Sequence, residues 1–218
     1  MDLHTPPPPY WHELERFLLE DARRELAAGG FPLPVLAAAV DDEVVALGVL
    51  RPCDDTGPVP ALVEVLALLL PLGVNRVALR FSGRAWSTLD PIPPVSDDVD
   101  LRARVIVLVR ADGLDRPCAI ATQLHECRPE PTAPEHALGP AIVTEDAQPV
   151  APLLEALGIL LDRRDELVGD ASGSALVAQL GRVLLLGHQL TLSPELTERL
   201  TDASVDRPAP QRTRPTSP

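Results

Sequence analysis

The chain has 218 residues, enough for one full hydrophobic core, and its 19 basic against 32 acidic residues give a formal charge of −13. That charge opposes binding to nucleic acid, where affinity comes from neutralising phosphates. Every basic residue is arginine, and the missing lysine excludes Schiff-base chemistry, a pyridoxal-phosphate anchor and the lysine-dependent phosphate handling of P-loop enzymes and kinases.

Aromatic residues make up 3% of a chain that is 45% hydrophobic, so the core is expected to be aliphatic. The composition, rich in Ala, Pro, Asp and Arg, is of the kind that high-GC, actinobacterial-type genomes encode. Cys53, Cys118 and Cys127 are odd in number and form no CxxC, which argues against an extracellular disulfide framework. The first residues show no basic and apolar leader, and the longest apolar runs are broken by Glu64 and Pro71 or by Gln179 and Arg182. A cytoplasmic location is expected.

Residues 1–9 read as a disordered proline-rich arm. Trp11, Leu14, Leu18 and Ala22 recur at helical spacing and predict a helix over 10–28, stopped by Gly29-Gly30. Residues 34–51 predict a hairpin turning at Asp41-Asp42, with small residues such as Ala37, Ala46 and Gly48 leaving room for a helix. Both of its strands are apolar on both faces, which predicts a central position. A helix over 60–72, apolar almost all round except for Glu64, should be buried and closed by Gly73.

Residues 75–82 alternate as a strand, with Val77, Leu79 and Phe81 opposite Arg76, Ala78 and Arg80. Ser82-Gly83 reads as its end, and Arg84 and Trp86 follow into a proline-stiffened acidic loop. Strands are predicted over 101–110 and 117–127, joined by a turn in which Gly113 is available for positive φ. Residues 129–149 read as a long surface connection with a short strand near 141–144. Two amphipathic helices follow, one striped by Leu153, Leu157, Leu160, Leu161 and Leu167, the other by Leu176, Leu180, Val183 and Leu184. Ser193-Pro194 starts a short helix ending near 203. The expected organisation is a disordered arm at 1–9, an α+β domain at 10–150, a helical extension at 151–203 and a disordered tail at 204–218. The expected fold is α+β, a mostly antiparallel sheet of about five strands in helix-hairpin-helix-strand-hairpin order.

Four constellations carry chemistry. Cys118, His125, Cys127 and His136 lie close in sequence, but their spacing fits no metal-ligand pattern and Cys118 has the wrong strand parity, so no metal is expected. Ser82 with His125 lacks a nucleophile elbow. Arg80, Arg84 and the Ser82-Gly83 backbone could hold an anion, although Asp90, Asp97, Asp98 and Asp100 stand close enough in sequence to neutralise them. A glycine-containing loop at 169–174 offers a weaker anion cradle. Trp86 beside Arg84 has the residue types of an interface hot spot.

The order helix, hairpin, helix, strand, hairpin over about residues 10–127 is similar at fold level to roadblock/longin-type regulatory scaffolds and to the MPN domain of metalloisopeptidases. The MPN motif, His-x-His followed by Ser and Asp, is absent, the corresponding strand end reading FSGRAWSTLD. The expectation is therefore a non-enzymatic cytoplasmic interaction or regulatory protein that pairs with itself or a protein partner, without cofactor, nucleic acid or membrane. The alternative is a small-molecule or anion-binding enzyme using Arg80, Arg84 and His125. The binding candidates are Arg80, Ser82, Arg84, Trp86 and His125.

Overall fold

A computed structural model describes residues 9–52, 58–85, 102–114, 116–128, 133–142, 151–168 and 173–205. In chain order the elements are α1 (Pro9–Ala27), β1 (Val35–Val40), β2 (Glu43–Val49), α2 (Val59–Leu69), β3 (Arg76–Ala85), β4 (Ala103–Asp112), β5 (Ala119–Cys127) and β6 (Leu138–Ile142). They continue as α3 (Ala151–Asp162), α4 (Arg164–Val168), α5 (Gly173–Leu185), β7 (Gln189–Leu192) and α6 (Pro194–Val205). The fold is α+β, and the strands form one antiparallel sheet in the order β6-β5-β4-β3-β1-β2-β7.

Strand alternation divides the sheet into two faces, each with its own core. Leu36 and Ala38 of β1, Val77, Leu79 and Phe81 of β3, and Val105, Val107 and Val109 of β4 point to one side. There they meet Leu62, Val65, Leu66 and Leu69 of α2, Leu153, Leu157 and Leu161 of α3, Val183 of α5, and Leu196 and Leu200 of α6. Val35 and Ala37, Ala78, Ile106 and Leu108 point to the other side, where α1 lays down Trp11, Leu14, Leu18 and Ala22. A sheet covered on both faces needs continuous apolar strands at its centre, as β1 and β4 supply.

Two strands extend the expected five. β6 sits at 138–142, a little before the short strand expected near 141–144, and pairs with β5. β7 lies inside the segment expected to be purely helical and pairs with β2. Four residues between two helices carry too little alternation to stand out. The small residue Gly48 serves this strand rather than a helix: a Cβ there would collide with the Leu190 side chain.

β3 does not end at Ser82-Gly83. Gly83 pairs with Val105 and β3 runs on to Ala85, because β4 is long enough to carry its partner past the dipeptide. The next strand starts and ends two residues later than expected, at 103–112, and the one after it starts two residues later but ends as expected, at 119–127. Gly113 does not adopt a positive φ. Its requirement is space, since a Cβ would lie 3.0 Å from Asn75 O and 3.1 Å from Leu161 Cβ. The positive φ falls instead on Asp41 (52°) in the β1–β2 turn, which a short polar side chain tolerates. Asn75 holds that turn by accepting from the Asp41 N–H and donating to Asp41 Oδ1, both at 2.9 Å.

Candidate functional site

Arg80 is fully buried between β3 and α1, and its Nη2 donates to Asp21 Oδ2 and Glu25 Oε1, each at 3.1 Å. The carboxylates that neutralise it therefore come from the first helix. The loop acids Asp90, Asp97, Asp98 and Asp100 lie outside the described residues. Its Nε and Nη1 are also buried and have no protein partner. Arg110 repeats the pattern one strand over, donating to Glu15 Oε1 of α1 at 3.0 Å. The helix thus docks through an apolar stripe bordered by arginine–carboxylate pairs.

Ser82 lies on the α1 side of β3 and donates its hydroxyl to Pro32 O at 2.9 Å. Ile106 pairs with both Ser82 and His125, so the serine and the histidine stand two strand spacings apart, roughly 10 Å, with an isoleucine between them. That is beyond hydrogen-bond reach for a nucleophile and its base. His125 is buried, with Nδ1 3.1 Å from Gly139 O, a geometry in which the nitrogen donates, and its Nε2 has no protein partner. Arg84 is exposed at the strand end and donates to Arg102 O at 3.0 Å. Trp86 lies outside the described residues, as do Cys53 and residues 169–172 of the glycine-containing loop.

The cysteines divide between the two cores. Cys118 packs on the α2 and α3 side, while Cys127 shares the α1 side with His125. Burial, reinforced by the charges of Asp162 and Asp112, pushes the Cys118 thiol up to about 12. Burial also raises Cys127. Neither is a ready thiolate nucleophile. The side chain of His136 lies outside the described residues, and among those described no three His, Cys, Asp or Glu groups converge on a metal-sized site.

Three features were not anticipated. Glu64, the single charge on α2, accepts from Arg51 Nε at 2.9 Å and Arg51 Nη2 at 3.1 Å, and from His188 Nε2 at 2.8 Å. Because His188 Nδ1 accepts from the Arg51 N–H at 3.1 Å, the ring proton sits on Nε2. Arg51 and His188 hold the Glu64 carboxyl below its usual range, Arg51 contributing most. This clasp joins the end of β2, the middle of α2 and the entry to β7. The visible signal was an isolated carboxylate on an otherwise apolar helix.

The second feature is an open cleft of about 740 Å³ where the β1–β2 turn faces α6, lined by Asp41, Asp42, Glu43, Glu195 and Glu198 against Arg199. The third is the outward face of α5. Leu176, Leu180 and Val183 pack inward as expected, but Leu184 does not. Leu184 is 51% exposed and Leu185 91%, flanked by exposed Val177 and Leu186. Among the described residues no helix is long and apolar enough to cross a membrane. No family model, curated protein or solved structure matches the chain.

Proposed function

We propose that this protein is a non-enzymatic, cytoplasmic interaction or regulatory module acting through association with itself or a protein partner. The observation that carries the reading is the apolar end of α5, where Val177, Leu184, Leu185 and Leu186 all stand exposed. Leu184, Leu185 and Leu186 are consecutive, and exposed apolar side chains grouped in this way mark contact sites. The anion-binding alternative loses support from the placement of its groups. The one bonded amino group of Arg80 is shared by Asp21 and Glu25. Arg84 and His125 stand two strands and two residues apart, roughly 12 Å.

The test compares the native chain with Leu185→Asp, a change at a side chain that packs on almost nothing. Association is followed by sedimentation velocity and by cross-linking mass spectrometry in extracts of the source cells. The substitution should abolish self-association or specific cross-links while leaving the melting temperature within about 2 °C, as expected of a surface change. If the native chain neither self-associates nor forms any cross-link that depends on Leu185, the reading fails.

A further inference from the structure

We infer that β7 is an open edge that pairs with β7 of a second copy about a two-fold axis at Thr191, joining two sheets into one. The inference rests on the interaction-module reading and names the partner. Among the described residues β7 ends the sheet, with β2 on one side and no strand on the other. Its sequence, Gln-Leu-Thr-Leu, contains no proline and no charge, two of the devices by which proteins block such edges, and its protection is limited to its shortness of four residues. The opposite edge, β6, carries Pro140, which has no N–H to donate.

The phase of the strand determines which groups are offered. The Ser193 N–H donates to Val45 O, so Ser193, Thr191 and Gln189 turn their backbone groups toward β2. By alternation Leu190 and Leu192 turn theirs outward. An antiparallel second copy centred on Thr191 sets Leu190 against Leu192 of that copy, and Leu192 against its Leu190. Each such pair exchanges two backbone hydrogen bonds. Centring on Leu190 or Leu192 instead leaves only one such pair, because the His188 N–H is already given to Val183 O and Pro194 opens α6. The edge is therefore complementary to itself in one register.

Exposed apolar side chains lie just before this edge in the chain. From Leu184, Leu185 and Leu186 the chain passes through Gly187 and His188 directly into β7. A short strand plus this cap belongs with interfaces below about 1,200 Å² in total, which associate reversibly. Both copies carry −13, so added salt should strengthen the pairing by screening repulsion, opposite to an association held by ion pairs.

The two-fold places Thr191, whose side chain is exposed, directly opposite itself in a non-hydrogen-bonded pair, where Cα atoms lie about 4.5 Å apart and a disulfide can form. The experiment uses the full chain with Thr191→Cys, and Gln189→Cys as the neighbouring control. Under mild oxidation Thr191→Cys should give a covalent dimer at least tenfold above the native chain, and Gln189→Cys should stay at the native level. Equal yields from the two variants, or none from Thr191→Cys, would overturn the register. A second arm needs no cysteine: Thr191→Asp and Thr191→Arg should each lose the dimer in sedimentation, and their mixture should regain it. Failure of the mixture to regain it also overturns the two-fold. A native chain that stays monomeric throughout removes self-pairing alone, since Leu185-dependent cross-links to other proteins would still support the broader reading.

Discussion

Replacing Glu64 tests whether the Arg51–Glu64–His188 clasp holds β2, α2 and β7 together. In Glu64→Leu the Nε2–H of His188, whose side chain is 0% exposed, loses its acceptor. A buried donor left unsatisfied costs about 1–3 kcal/mol. Arg51 and Glu64 are 24% and 21% exposed, so the charge attraction is partly screened and contributes ~1 kcal/mol or less. The expected loss is about 3 kcal/mol, or roughly 6–12 °C in melting temperature for a chain of this size. Glu64→Gln keeps an oxygen for His188 and should cost only ~1–2 kcal/mol. The assay is urea denaturation at unchanged m-value. The pH dependence has a defined sign. Because the folded state lowers the Glu64 pKa from its ordinary 4.5, the advantage over Glu64→Gln is complete above that value. It fades as the pH falls through the lower folded value. A Glu64→Leu protein as stable as the native one at pH 7, or a native advantage that grows on acidification, would refute the account.

Two further outcomes are expected. Arg80→Met should cost no more than about 1–2 kcal/mol, since Asp21 and Glu25 are 36% and 35% exposed and can return to water. Removing both carboxylates as Asp21→Ala with Glu25→Ala should cost more, about 3–5 kcal/mol, because the guanidinium is then buried without an acceptor. Urea titrations in the reverse order would refute the pairing. With its thiol raised from 9.0 to about 12, Cys118 should be alkylated at pH 8 roughly a thousand-fold more slowly in the folded than in the unfolded chain. Peptide mapping after timed labelling measures this, and equal rates would show the site to be open.

Periodicity made the centre of this fold legible and left its borders obscure. The apolar stripe of α1 and the alternation of Val77, Leu79 and Phe81 both appear where spacing put them. Ser82-Gly83 looked like a strand end because those residues often break strands, yet pairing with Val105 and Ile106 decided otherwise. Nothing local could announce β7, whose place depends on Ala46, Leu47, Gly48 and Val49 far back in the chain. Leu184 was misassigned because helical spacing alone does not say how wide a stripe α2 and α6 can cover. Arg80 and Arg84 stand together in the sequence, but the carboxylate partners of Arg80 lie 55 and 59 residues earlier. Sequence proximity had pointed to the loop acids.

The late position of β7 bears on how the molecule is made. Arg51 and His188, bonded in the finished protein, are separated by 137 residues. At roughly 5–20 residues per second, a ribosome takes on the order of ten seconds to travel from one to the other. During that interval β1 to β6 can assemble, while β2 is left as an unprotected margin whose amides have no strand to meet. Exposed Val44 on that strand would add to its adhesiveness. Messages truncated before codon 189 would leave this margin open permanently, whereas the finished chain covers β2 and passes the free edge to the four residues of β7.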